Sequence, residues 1–253
     1  MTTFEIKGLA KAFGGLQAVQ HFDCSVTSGQ IHALIGPNGA GKSTVFNLIC
    51  GVIKPDSGQV LLDGENLVGL PPHKITAKGI ARTFQNVRLF KNMSVRDNVV
   101  VAIHAARNQG ILPAIASAGP GSASLRDLHD KADAVLQIVG LGHRADALTK
   151  NLPYGEQKRV ELARALGCPA KALLLDEPTT GMNPTEASAM METIHTIRDR
   201  GIAILLVEHN MRVVMDISDV VTVMNFGQVI CSGTPEHVCE DEQVIAAYLG
   251  EKR

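Results

Sequence analysis

Gly36-Pro37-Asn38-Gly39-Ala40-Gly41-Lys42-Ser43-Thr44 constrains this chain more than any other stretch. Two glycines frame the segment, and a Lys followed by a hydroxyl residue closes it, which is the pattern of a phosphate-cradling loop. Its surroundings agree with that reading. Ile31-His32-Ala33-Leu34-Ile35 is a short apolar run suited to a buried strand, and Ser43 to Cys50 reads as a helix stopped by Gly51. Glycines let successive backbone N–H groups turn inward around phosphate oxygens, while the following helix aims its positive end at the same point. Lys42 is then expected to reach the β- and γ-phosphates, and the Ser43 hydroxyl to ligate Mg²⁺. A glycine-rich turn between strand and helix is the plain alternative.

With 253 residues, the chain can form one large α/β domain with a subdomain inserted. Its formal charge of −1 includes no long block of like charges, so no electrostatic footprint for nucleic acid is present. Five cysteines, Cys24, Cys50, Cys168, Cys231 and Cys239, are odd in number with no C-x-x-C spacing, as expected of structural thiols in a reducing compartment. No signal-peptide pattern opens the sequence, and no apolar run approaches the roughly 20 residues of a bilayer span. The chain is therefore expected not to cross a membrane itself.

The first thirty residues alternate apolar and polar positions (Phe4, Ile6 and Leu9, then Val19, Phe22, Cys24 and Val26), predicting half-buried antiparallel strands. Val60 to Asp63 with an Asp63-Gly64 turn predicts a hairpin, and Ile80 to Phe84 a further strand. From about Lys91 the character changes. Ser94 and Asp97 read as a helix cap, with Val95, Val99 and Ile103 at helical spacing. Residues 108–124, rich in Gly, Ala, Ser and Pro, predict a mobile connection. An amphipathic helix then runs from Leu125 to a stop at Gly140. A mainly helical insertion thus spans 91–167. Ala172–Leu175 and Ile202–Val207 return to the continuous apolar runs of buried parallel strands, and Asn183-Pro184-Thr185-Glu186 opens a helix between them.

Asp176 and Glu177 follow the Leu173–Leu175 run directly and so belong at the carboxyl end of a strand, where open α/β sheets place ligands. There Asp176 can hold Mg²⁺ through its water shell, and Glu177 can orient an attacking water and accept its proton. A solvated acidic pair at a strand end is the alternative.

Together these motifs resemble the ATP-binding subunit of ABC transporters, over essentially the whole chain and in the family's order. Leu152-Pro153-Tyr154-Gly155-Glu156-Gln157 stands where that family has L-S-G-G-Q, followed by an Arg/Ala/Leu-rich helix from Lys158 to Leu166. The resemblance implies a P-loop NTPase fold of α/β class. It would have a mainly parallel core sheet and an antiparallel β subdomain (1–90 and 168–253), with the helical subdomain inserted at 91–167, all within one domain, 1–253. It implies ATP and Mg²⁺ as ligands and ATP hydrolysis as the activity. By the same resemblance Gln85 contacts Mg²⁺ and water, His209 senses the γ-phosphate and Phe13 stacks on adenine. Val19 belongs to the nucleotide-contacting set, and Pro153, Tyr154, Gly155 and Glu156 face the nucleotide of an opposite subunit. Each has a plainer alternative: Phe13 as a core aromatic, Gln85 as a polar strand end, His209 as a hydrogen-bonded structural His.

Two departures stand out. Pro153 and Tyr154 replace the signature's Ser and first Gly, and Pro153 brings neither hydroxyl nor N–H. Asn183 stands where an Asp is common. Arg82-Thr83-Phe84-Gln85-Asn86-Val87-Arg88-Leu89-Phe90, Val207-Glu208-His209-Asn210-Met211 and Ala247-Tyr248-Leu249-Gly250 are similar to the longer ATPase subunit of branched-chain amino-acid importers. That resemblance implies a second ATPase subunit, two integral membrane permease subunits and, indirectly, a solute-binding protein. It implies no nucleic acid, and a peripheral location on the cytoplasmic face of the inner membrane. A short permease helix is expected in a groove near Gln85, Val87, Leu89, Phe90 and Met93. A lipopolysaccharide-export ATPase would keep the Ser-Gly-Gly signature. A DNA-repair ATPase would need a coiled coil in the insertion, where no heptad repeat is found.

Overall fold

A computed structural model describes residues 2–83, 87–106 and 123–249. Two sheets organise them. Strands β1 (Thr3–Phe13), β2 (Leu16–Thr27), β4 (Ser57–Leu62) and β5 (Glu65–Asn66) form an antiparallel sheet in the order β2-β1-β4-β5. Asp63 and Gly64 join the last two strands with φ of 52° and 81°, the doubly left-handed pair a tight hairpin requires.

The larger sheet runs β10-β9-β3-β8-β7-β6, from β3 (Ile31–Ile35), β6 (Ile80–Arg82), β7 (Ala172–Asp176), β8 (Ala203–Val207), β9 (Val220–Asn225) and β10 (Gln228–Gly233). All its pairings are parallel except the edge hairpin β9–β10. Every residue of β3, β7 and β8 is buried. Their alternate side chains enter different cores: Leu173, Leu175, Ile204 and Leu206 face one hydrophobic cluster, while Leu174, Leu205 and Val207 face another. That arrangement explains their uninterrupted apolar sequences.

On one face the antiparallel sheet and helix α1 (Lys42–Ile49) close the core around Phe4, Phe22 and Phe46. Beyond it lies α2 (Pro72–Lys78). On the other face α3 (Val95–Ala106), α4 (Ala123–Ile138), α5 (Tyr154–Leu166) and α6 (Pro184–Arg198) pack together through Val99, Leu136, Val160 and Ile194. The predicted cap at Ser94 is present, its hydroxyl accepting Asp97 N–H at 3.0 Å. At the edge, α7 (Met211–Ile217), α8 (Pro235–Glu240) and α9 (Glu242–Leu249) cover β3 and β9 around Ile35, Val221, Val238 and Val244.

Two boundaries differ from expectation. The strand predicted over Ile80–Phe84 ends at Arg82, and Phe84, Gln85 and Asn86 lie outside the described residues. The connection predicted over 108–124 falls mostly outside them too, but its last two residues belong to α4, which begins at Ala123.

Candidate functional site

Parallel pairing sets the site by register. Leu34 of β3 stands opposite Val207 of β8, and Val207 opposite Asp176 of β7. The three chains therefore leave the sheet at one level, bringing Gly36–Thr44, Asp176-Glu177 and Glu208-His209 to the same carboxyl edge.

The phosphate loop needs its glycines for space as well as conformation. Gly36 and Gly41 have φ of 148° and 107°, and a Cβ on them would overlap the carbonyl oxygens of Met224 and Ala18 respectively. Gly41 then starts α1. Lys42 folds back over the loop, its Nζ donating to Gly36 O at 2.6 Å and Pro37 O at 2.9 Å. Burial pushes the Lys42 ammonium below its ordinary range, opposed by the charges of Glu177 and Asp176. Ser43 is exposed at the helix start.

A cleft of about 350 Å³ lies over this loop, bounded by Asn38 to Thr44, Glu177, Phe13, Leu16 and Phe226. Phe13 is 47% exposed, so its ring is a surface wall of the cleft and not a core aromatic. Leu16 and Phe226 are more exposed still, and sequence reasoning missed both. Phe226 sits with Gly227 on the β9–β10 turn at positive φ, and that exposed aromatic on a turn was the available signal. Val19 requires a correction. It is fully buried in the core, because β2 turns its side chain inward, and Ala18 borders the cleft instead.

Asp176 is nearly buried and pairs with Arg82, whose Nη2 lies 2.9 Å from its Oδ2. Arg82 also donates to Asn47 Oδ1 of α1 at 2.8 Å and lies over the Phe46 ring. This link between β6, β7 and the phosphate-loop helix has no short-range sequence signal. Glu177 adopts φ 48°, a left-handed conformation that is uncommon for a non-glycine residue. Its N–H donates to Val207 O at 2.9 Å, and its Oε2 accepts the Thr180 hydroxyl at 3.2 Å. His209 Nδ1 stands 3.8 Å from Glu177 Oε1. Beneath both, Glu208 is wholly buried. One carboxylate oxygen accepts Thr179 N–H and Oγ1–H at 3.0 and 2.5 Å, the other His209 N–H and Asn210 N–H at 3.1 and 3.4 Å. Glu208 thus ties the loop after β7 to the loop after β8. Gln85 lies outside the described residues.

Pro153, Tyr154, Gly155 and Glu156 do not border the cleft. They form the start of α5, where Pro153 occupies the cap position without a side-chain bond. The Gly155 N–H is taken by Glu186 Oε1 of α6 at 3.2 Å. Glu186 also closes a capping box with Asn183, accepting its N–H at 3.1 Å while Asn183 Oδ1 accepts Glu186 N–H at 3.0 Å. Glu156 pairs with Arg144 at 3.3 Å.

A second groove, of about 430 Å³, opens between α2, α3 and α5. Its floor is Ile75, Ala77, Ala81, Ala102, Ala105 and Ala106, and Arg82, Arg88, Glu161 and Arg164 supply its charge. Burial raises the Glu161 carboxyl, partly offset by the Arg88 N–H it accepts. The groove expected near Val87, Leu89, Phe90 and Met93 is displaced from them: Leu89 packs into the helical core, and the Phe90 ring lies under Arg164. No helix among the described residues is long and apolar enough to cross a membrane.

The profile described as ABC transporter matches residues 19–180, and one described as branched-chain amino acid ATP-binding cassette transporter matches 228–253. The chain is 42% identical to the high-affinity branched-chain amino acid transport ATP-binding protein BraF of Pseudomonas aeruginosa, covering 98% of this chain and 97% of that one. It is 41% identical to LivG of Escherichia coli, a protein of the same description, over 97% of each. Among solved structures it is similar to the ADP conformation of an ATP-binding cassette of an ABC transporter. That match has a TM-score of 0.86 and 30% identity, over 99% of this chain and 100% of the other.

Proposed function

Because the chain belongs to the ATP-binding cassette family of ABC transporters, and so binds and hydrolyses ATP, we propose that it energises an importer of branched-chain or other hydrophobic amino acids. The observation that carries this reading is the convergence of the Gly36–Thr44 loop, Asp176, Glu177 and His209 on one sheet edge, in a chain whose C-terminal segment matches the branched-chain profile.

In this reading the amides of Gly39 to Thr44 and the Lys42 ammonium hold the triphosphate, and Phe13 stacks on adenine. Lys42 leaves the Gly36 and Pro37 carbonyls as phosphate arrives. The Ser43 hydroxyl and the Asp176 carboxylate, with the Gln85 amide that the family resemblance adds, would offer a hard divalent cation oxygen donors only. Mg²⁺ bound there supplies charge neutralisation for the β- and γ-phosphates. Glu177 accepts the proton of the attacking water, and His209 holds the γ-phosphate edge beside it. The Thr180 hydroxyl and the Val207 carbonyl fix Glu177 in its left-handed conformation, so the base is oriented before substrate arrives.

Pro153 to Glu156 act on the nucleotide of a second ATPase subunit, in a sandwich dimer that closes with ATP and opens after hydrolysis. Energy reaches the membrane because ATP and ADP favour different states of that dimer. The alanine-floored groove takes a short helix from one of two permease subunits, the charged rim at Arg82, Arg88, Glu161 and Arg164 fixing its polar ends. These contacts hold the chain peripherally on the cytoplasmic face of the membrane, with a solute-binding protein delivering cargo from the other side.

Mild-detergent purification of the tagged chain from its own membranes tests the reading. Two multi-span proteins and a second ATPase are expected with it. Recovery only from the soluble fraction, with no membrane partner, contradicts it.

A further inference from the structure

Away from the nucleotide cleft, Cys231, His237 and Asp241 bring one thiol, one imidazole and one carboxylate together where β10, α8 and α9 meet. Their ligating atoms all lie within 4.8 Å of one another. Ligands at zinc distances of about 2.0–2.3 Å stand roughly 3.3–3.8 Å apart around a tetrahedron, so modest side-chain rotation closes the set. Cys231 is buried, Asp241 half-buried and His237 exposed, which leaves one side open to solvent and to a fourth, water ligand.

The surroundings fix two of the three groups. Asp241 Oδ1 accepts Gln243 N–H at 2.9 Å and Val244 N–H at 3.0 Å, which orients the carboxylate at the start of α9. Cys231 is held on strand β10, where it pairs with Val223 of β9. Gly233 leaves the space that the imidazole fills, since a Cβ there would stand 2.6 Å from the His237 ring.

We propose that Cys231, His237 and Asp241 form a binding site for one borderline transition-metal cation, with Zn²⁺ the best match to a sulfur, nitrogen and oxygen donor set. Binding releases the Cys231 proton to solvent and forms one bond each to the Cys231 sulfur, a His237 ring nitrogen and an Asp241 oxygen. The site clamps edge strand β10 to α8 and α9, whose Val238 and Val244 pack on Ile35 immediately before the phosphate loop. The metal thereby stabilises the β10 side of the sheet, two strands from β3 and its nucleotide loop, and the proposal is independent of what the transporter carries.

The test is titration of the untagged, nucleotide-free full chain with Co²⁺ and Zn²⁺. One Co²⁺ per chain with a thiolate-to-metal charge-transfer band, displaced by Zn²⁺, is expected, together with a Zn²⁺-dependent rise in Tm. Cys231→Ser abolishes the band. His237→Gln, at an exposed position, and Asp241→Asn, which keeps the helix cap, each weaken binding at least about tenfold. Cys239→Ser changes nothing, because its thiol faces Met215. Absence of stoichiometric binding, a band that survives Cys231→Ser, or binding unchanged in both His237→Gln and Asp241→Asn overturns the site.

Discussion

Glu186 accepts the Gly155 N–H at 3.2 Å, so a carboxylate from α6 occupies a first-turn amide of helix α5. A helix N-terminus attracts anions, and here one side chain already supplies the negative charge. In the proposed sandwich dimer, the phosphate held by the partner subunit would compete with it. Glu186→Gln keeps the capping geometry and removes the charge. The interaction of an anion with a helix end is about 0.3–1 kcal/mol, so ATP-dependent dimer association should tighten roughly two- to fivefold. Sedimentation of the ATP-bound dimer reads this directly, and an unchanged association constant refutes the competition.

Lys42→Ala removes the two carbonyl bonds of the phosphate loop together with the proposed phosphate contact. Hydrogen bonds from a charged donor contribute about 1.5–3 kcal/mol, so calorimetry should show ATP binding weakened about ten- to a hundredfold. Binding within twofold of the parent contradicts the assignment.

Glu208 holds two loops from beneath. Glu208→Ala strands the buried Thr179 N–H and hydroxyl, and releases the N–H groups of the more exposed His209 and Asn210. Each unmet buried donor costs about 1–3 kcal/mol, so denaturant unfolding should show a loss of several kcal/mol. Glu208→Gln, which retains an acceptor, should lose less. Equal stability of Glu208→Ala and the parent disproves the tethering role.

His32 is buried, its Nε2 2.8 Å from Thr222 Oγ1, and burial lowers its imidazole below the ordinary 6.5. The neutral form is therefore the folded form. Above pH 6.5 neither the folded nor the unfolded chain protonates this ring, and it adds no pH dependence. Below 6.5 the unfolded chain takes up a proton that the folded chain refuses, and stability falls by at most about 1.4 kcal/mol per pH unit until the folded value is passed. The drop in stability from pH 6.5 towards 5 should be steeper in the parent than in His32→Gln. Identical slopes exclude His32 as a contributor.

Much of this architecture was legible because its determinants are local. The glycine frame before Lys42, the apolar runs of β3, β7 and β8, and the Asn183-Pro184-Glu186 cap each encode their structure within a few residues. Asp176 and Glu177 were placed correctly because they end a strand. What the sequence concealed is long-range. Arg82 reaches Asp176 and Asn47 across the fold, Glu186 reaches Gly155 between two helices, and the burial of Glu208 depends on the loop after β7. Val19 was misplaced by one residue because a strand's alternation sends neighbours to opposite faces, and nothing in the pattern told which face bordered the cleft.

The account rests most heavily on Glu177 as the base that activates water. Single-turnover hydrolysis by Glu177→Gln, measured together with ATP affinity and dimer formation, tests it directly. The account predicts ATP binding within a few-fold of the parent, an accumulating ATP-bound dimer, and hydrolysis slowed about 10²–10⁴-fold. Hydrolysis at the parent's rate with ATP still bound would contradict it.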